Sequence, residues 1–153
     1  MSNDAQEHCR KIDMVTVKGS AVPMPIYTYD TFQDQTFPEL QTPKFSDLSL
    51  QEVLAQVADE YESHTTWKVD EDLVQLRRLA TPEFRSVFRE GVDCYLGGNW
   101  NKARTTLEKA DEMMKSNGNR NGDGPSRTIL RYMKARGWQV PEDWKGYRPL
   151  TSK

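Results

Sequence analysis

A cysteine near the start and a polar loop near the end are the parts of this 153-residue sequence whose residue types could support chemistry. Cys9 is followed by Arg10 and Lys11, and neighbouring positive charge favours the reactive thiolate form. A nucleophilic cysteine also needs a base and a group that orients the base, and no such set is evident. Cys94 falls on a helical apolar stripe, where packing is the expected role.

The loop at 117–128 has oxygen-bearing side chains at alternate positions and a central glycine, as calcium loops do. Thr128 occupies the position of the bidentate carboxylate, and Pro125 interrupts the loop. We therefore expect a flexible polar loop at 116–124, without a metal. Acidic residues between 39 and 72 are scattered over predicted helix faces and ends, with no sign of the desolvated cleft that acid–base catalysis needs.

The charge balance excludes several classes of function. The chain has 21 Lys and Arg against 23 Asp and Glu, so no positive excess is available to neutralise phosphates. We expect no nucleic-acid partner. No stretch reaches the ~18 consecutive apolar residues of a membrane span, and no apolar signal segment begins the chain. With two widely spaced cysteines, the composition favours a reduced cytoplasmic protein.

Residues 8–29 predict a β-hairpin. The first strand has Ile12, Met14 or Val15, and Val17 as candidate inward positions, and residues 18–23 supply a glycine-containing turn. Prolines in the second strand predict a sheet edge. A two-stranded hairpin is marginal alone, so it needs a sheet to join or a surface to cover it.

Helical periodicity dominates from Ser49 onward. A capping box predicts a helix over 49–63, and a short helix follows over 70–79. Residues 81–115 predict a helical hairpin with Thr81 and Asn99 as N-caps and two glycines between the helices. A further helix opens at Pro125. The aromatic tail should dock onto these helices, because its large apolar side chains are costly to expose.

The segment 9–20, CRKIDMVTVKGS, followed by Pro23, Ile26-Tyr27 and Asp30, resembles the last hairpin of a class III adenylate or guanylate cyclase catalytic domain. The helical hairpin, the DGPS helix start at 123–126 and the WKGYR sequence at 144–148 resemble the tail that follows this domain in some protist and algal cyclases. The resemblance covers nearly the whole chain, and it suggests a chain that begins inside a longer ancestral protein.

The resemblance implies only part of a catalytic site. Class III cyclases use two metal-binding aspartates, purine-selecting residues and an Asn/Arg pair, all upstream of this hairpin. Lys18 alone carries over, as a contact to the nucleotide triphosphate. Ser20 departs from the family, which has a second lysine there. The resemblance therefore implies Mg²⁺ or Mn²⁺ with ATP or GTP for a longer parent, and no cofactor and no cyclase activity for this chain alone.

We predict an α+β fold with a cyclase-like hairpin at 1–30, a linker at 31–46 and a helical region at 47–153. Its partners would be the rest of a cyclase catalytic domain or its dimer partner. The alternative is a helical interaction module, because 81–115 also fits one tetratricopeptide-like unit whose 84–114 face would bind a protein. If the cyclase hypothesis holds, Ile12, Val15, Val17 and Ile26 should be poorly buried in the isolated chain.

Overall fold

The computed structural model describes residues 8–31, 49, 51 and 70–150. Contacts divide the chain into two units, one made of 1–30 with 79–153 and the other of 31–78. The fold is α+β, as predicted, with a three-stranded sheet and four helices in the described part of the chain. Apart from positions 31, 49 and 51, the predicted linker at 31–46 and the predicted helix at 49–63 lie outside the described residues. The predicted domain boundaries stay predictions.

The sheet contains the predicted hairpin and one further strand. Its strands are β1 Arg10–Val17, β2 Met24–Thr28 and β3 Arg148–Leu150. Their order is β2-β1-β3, with β2 antiparallel and β3 parallel to β1. The predicted edge position of β2 is therefore confirmed. We predicted no strand in the tail, because three residues around a proline show no alternation. This third strand provides the partner that an isolated hairpin needs.

A β-bulge interrupts the first half of β1. Lys11 pairs with Tyr27 and Asp13 pairs with Ile26, so two residues advance on β1 for one on β2. Ile12 is the extra residue, which leaves it unpaired and reverses the alternation of side chains along the strand.

The bulge explains which residues of β1 are buried. Arg10, Asp13 and Val15 are 6%, 4% and 0% exposed. These buried positions are three residues and then two residues apart along the strand. Of the predicted inward positions, Val15 is buried, but Ile12 is only half-buried and Val17 is 39% exposed. Simple alternation was therefore wrong for Ile12, because it assumed a regular strand. Val17 does share a face with Val15, but it lies at an end of the strand that the described residues leave exposed.

The four helices begin at side-chain caps. They are α1 Glu71–Leu76, α2 Pro82–Leu96, α3 Trp100–Ser116 and α4 Gly124–Lys134. In each, the preceding Asp70, Thr81, Asn99 or Asp123 accepts a hydrogen bond from the backbone N–H three residues later. The first three starts were predicted. The helix predicted to open at Pro125 begins one residue earlier, and its cap, Asp123, was not identified. The helix predicted over 70–79 ends earlier, at Leu76.

Helices α2 and α3 pack tightly as the predicted helical hairpin. A Cβ added to Gly91 would lie 2.7 Å from the Cδ2 of Leu107, so any larger residue would force that buried side chain to shift. All five residues of the predicted apolar side of α3 are buried: Trp100, Ala103, Leu107, Ala110 and Met114. The likeness to a tetratricopeptide unit stays a prediction.

Candidate functional site

Lys18, the one residue that the cyclase resemblance marks for nucleotide contact, lies at the exposed tip of the hairpin. It occupies the turn between β1 and β2 beside Gly19, whose φ of 90° is the left-handed conformation that glycine tolerates. The backbone N–H of Ser20 closes the turn by donating to the carbonyl of Val17 at 3.0 Å. Among the described residues, Lys18 has no hydrogen-bond or ion-pair partner, so its ammonium is available to an incoming anion.

Ser20 has a structural role in the same turn. Its Oγ lies 3.3 Å from both the backbone N–H and the carbonyl oxygen of Val22. A serine hydroxyl often stabilises a turn in this way. Where the cyclase family has a second lysine, this chain therefore has a serine that makes a local turn contact and carries no charge. Lys18 is the only cation within the tip, residues 18–23.

A buried ion cluster holds the base of the hairpin. The guanidinium of Arg10 donates to Asp30 through Nε at 3.1 and 3.2 Å and through Nη2 at 2.6 Å, and Nη2 also donates to Asp123 at 2.9 Å. The central carbon of this guanidinium, Cζ, lies 4.1 Å from the ring centre of Phe88 and 4.8 Å from that of Phe84. Burial alone would lower the pKa of Arg10, but the two carboxylates outweigh it and raise that pKa. Arg10 is therefore a permanently charged structural centre.

Asp123 joins this cluster to the start of α4. Its Oδ1 accepts from Arg10, while its Oδ2 accepts from the backbone N–H of Ser126 at 2.8 Å. Its own N–H donates to Asp111 at 2.7 Å. The carboxylate that resembled a calcium ligand is thus occupied by a guanidinium and a helix cap. In the described part of the chain, no three His, Cys, Asp or Glu residues are grouped to hold a metal.

A second ion pair joins β1 to the tail. Nη2 of Arg148, the first residue of β3, lies 2.6 Å from Oδ2 of Asp13. The other carboxylate oxygen of Asp13, Oδ1, accepts a hydrogen bond from the backbone N–H of Met14 at 2.8 Å. Burial raises the pKa of Asp13 by more than Arg148 and the Met14 N–H lower it. Sequence reasoning missed the Arg10 cluster and the Asp13–Arg148 pair, because nothing in the alternation of β1 marks its charged residues as buried.

The helical face proposed for a protein partner is covered by the chain itself. Tyr95 and Trp100 are 0% and 2% exposed, and they form a cluster with Tyr132 and Trp144 in which ring centres lie 5.2 to 6.2 Å apart. Nε1 of Trp144 donates to the carbonyl of Leu96 at 3.1 Å. The predicted docking of the aromatic tail is confirmed at Trp144. A partner on 84–114 stays a prediction, and only the exposed positions of α2 and α3 are open to it.

No helix in the described part of the chain is long and apolar enough to cross a bilayer. Comparison with protein-family models, with curated proteins and with solved structures finds no match.

Proposed function

We propose that this chain is the C-terminal portion of a class III nucleotidyl cyclase, which makes cyclic nucleotides for intracellular signalling. The segment 9–20 carries the resemblance, and it forms the strand and turn that the resemblance requires, with Lys18 at the tip. As a separate chain it is inactive, since the aspartates that bind the metals and the Asn/Arg pair that stabilises the transition state belong to an upstream part of the family's catalytic domain.

The observation that carries this proposal is the uncovered apolar end of the sheet. Val15 pairs with Met24 and Val17 pairs with Leu150, and side chains on directly paired residues share one face. Val15 is buried, but Val17, Met24 and Leu150 are 39%, 42% and 42% exposed on that face. A contiguous apolar patch on a short sheet is typical of an interface. The rest of a catalytic domain would cover it.

The helical region would form one body with that domain. Arg10 binds Asp123, and Asp13 binds Arg148, so both the start of α4 and the tail are attached to β1. The expectation of poor burial is met in part only: Val17 is exposed, Ile12 and Ile26 are half-buried, and Val15 is fully buried by this chain's own residues. We infer that the tail buttresses the last hairpin and positions it for the remainder of the sheet.

The first experiment is to read the transcript upstream of the codon for Met1 and to measure the size of the endogenous protein with an antibody against 79–150. We expect an open frame that encodes two metal-binding aspartates and an Asn/Arg pair, and a protein much larger than 17.7 kDa. An in-frame stop codon directly upstream, with a single 17.7 kDa product, would overturn the proposal.

The second experiment tests Lys18 in that longer protein. Lys18→Ala should raise the KM for ATP or GTP with Mg²⁺ or Mn²⁺, because one charge-assisted contact to the triphosphate is lost. Lys145→Ala, which removes another exposed lysine, is the matched control and should leave KM unchanged. The 153-residue chain assayed alone should form no cyclic nucleotide.

No specific observation favours the helical interaction module as a second function. The aromatic residues that would line its binding face, Phe84, Phe88, Tyr95 and Trp100, are at most 2% exposed.

A further inference from the structure

A cavity of about 260 Å³ lies where the start of β1 and the end of β2 meet α2. Phe88 and Val92 of α2 supply its apolar wall, and Tyr27 lines it from β2. The volume is slightly below the ~300–1,000 Å³ of ordinary ligand sites, so it suits only a small molecule. The cavity is distinct from the hairpin tip that carries Lys18.

Cations outnumber carboxylates among the residues that line this cavity. Arg10, Lys11, Arg85 and Arg89 line it, against Asp93 as the one carboxylate among its lining residues. Arg85 and Arg89 are four residues apart on α2, a spacing at which like charges on a helix repel each other. Asp30 and Asp123 already balance Arg10, so Lys11 and Arg89 are the cations of this cluster that a bound anion would engage.

Two of these cations are available to a ligand. Nζ of Lys11 is 3.7 Å from Oδ1 of Asp93, beyond hydrogen-bond distance, and the Asp93 side chain is 58% exposed. Arg89 is exposed and has no ion-pair partner among the described residues. Both groups can therefore turn toward an anion without breaking a buried contact.

Arg10 adds an independent observation. It is 6% exposed, it lines the cavity, and its Nη1 has no hydrogen-bond partner in the described part of the chain. Buried donors without an acceptor are rare and require an explanation. Nη1 is itself buried, so an anion in the adjoining cavity would reach it as an acceptor only after a small movement of the side chains around it.

We propose that this cavity binds a phosphate monoester of a small molecule. Lys11 and Arg89 would contact the phosphate oxygens, with Arg10 behind them, and the organic part would lie against Phe88 and Val92. Such a ligand would bridge β1 and α2 and so stabilise the attachment of the hairpin to the helices. The proposal does not depend on the cyclase hypothesis, because every residue in it belongs to the chain in hand.

The test is an NMR titration of the full 153-residue chain with glycerol 3-phosphate at constant ionic strength, with glycerol as the uncharged probe. We expect saturable shifts at the amides of Lys11 and Arg89 with the phosphate and none with glycerol. Saturating ligand should also raise the Tm, since binding to the folded state alone stabilises it.

Variants at exposed positions keep the fold intact and make the result decisive. Arg89→Gln should weaken binding at least tenfold, whereas Lys109→Gln, which removes an exposed charge from α3, should not change the Kd. An unchanged Kd in Arg89→Gln, shifts that do not saturate, or equal shifts with glycerol would each overturn the proposal. Binding to phosphatidate vesicles without binding of the soluble ester would assign the surface to a membrane and overturn it as well.

Discussion

The guanidinium of Arg10 donates to the carboxylate of Asp123 at 2.9 Å, across 113 residues of sequence. Arg10 begins β1, and Asp123 caps α4. One buried ion pair thus connects the first strand to the last helix of the described chain, and Asp30 binds the same guanidinium from the end of the hairpin. The hairpin and the helices consequently share a single electrostatic centre.

Asp123→Asn should separate the charge of this residue from its capping role. Asparagine still caps a helix well, so the variant removes the negative charge and leaves the cap. Removing one partner of a buried ion pair costs about 3–5 kcal/mol, and the remaining Asp30 places our expectation at about 3 kcal/mol. Asp123→Ala should lose about 1 kcal/mol more because the cap is lost too.

Urea unfolding followed by tryptophan fluorescence measures both variants. Asp143→Asn changes an exposed carboxylate in the tail and should match the parent chain. If Asp123→Asn unfolds at the same urea concentration as the parent, the ion pair does not hold the hairpin to α4.

The helices were accessible to sequence reasoning because each one is specified locally. Thr81 and Asn99 cap α2 and α3, and the buried side of α3 follows the helical period from Trp100 to Met114. These signals lie within one or two turns of the residues they govern, so the sequence alone is enough.

The sheet was less accessible because long-range contacts decide it. The bulge at Ile12 reverses the alternation of β1 and buries Arg10 and Asp13, and their partners lie far along the chain at Asp123 and Arg148. No local sequence pattern predicts either the bulge or the partners of Arg10 and Asp13. For the same reason the candidate phosphate site was missed, since Lys11 and Arg89 come together only after the strand packs on α2.

Gly91→Ala should destabilise the helical hairpin even though alanine is the better helix former. Its Cβ would lie 2.7 Å from Cδ2 and 2.8 Å from Cγ of the fully buried Leu107. Overpacking of this kind costs about 1–3 kcal/mol, whereas the gain in helix propensity is about 1 kcal/mol. We expect a net loss of stability in thermal unfolding.

Ser86→Ala, an exposed change on the same helix, is the control for that substitution. It adds nothing to the core, and alanine is the better helix former, so stability should be unchanged or slightly higher. Combining Gly91→Ala with Leu107→Ala should cost less than the sum of the single changes, because the smaller side chain leaves room for the new methyl group. Strict additivity would contradict the contact.

Trp144 should control the attachment of the tail. Its Nε1 donates to the carbonyl of Leu96, and its ring packs between those of Tyr95 and Trp100 at 5.2 and 5.4 Å. Trp144→Phe keeps most of the packing and should cost about 1 kcal/mol for the lost hydrogen bond. Trp144→Ala should cost about 3 kcal/mol and should release β3.

Amide hydrogen exchange distinguishes these effects. In Trp144→Ala, exchange at Arg148 and Leu150 should accelerate strongly, while exchange in the middle of α3 follows only the change in global stability. Trp138→Ala, which removes a ring stacked at 4.2 Å on the guanidinium of Arg104, is the comparison within the same tail. Unchanged protection of β3 in Trp144→Ala would show that the strand is held by its pairing with β1 alone.

Asp13 gives the chain a defined pH dependence. Its folded-state pKa is raised above the ordinary value of 3.8, chiefly by burial, so the folded protein binds this proton more tightly than the unfolded chain does. The contribution of Asp13 to stability is therefore fully present below the unfolded pKa and is lost as pH rises through the folded pKa. The 2.6 Å ion pair with Arg148 opposes the effect of burial by favouring the charged carboxylate.

Asp13→Asn removes this titration. The difference in unfolding free energy, variant minus parent, should become more positive as pH rises from about 3.5 and should level off above the folded pKa of Asp13. Urea unfolding of both proteins across this range measures the slope, and Glu142→Gln, an exposed change in the tail, should show no such trend. A difference that falls with rising pH would mean that Arg148 outweighs burial and that the folded state favours the charged carboxylate.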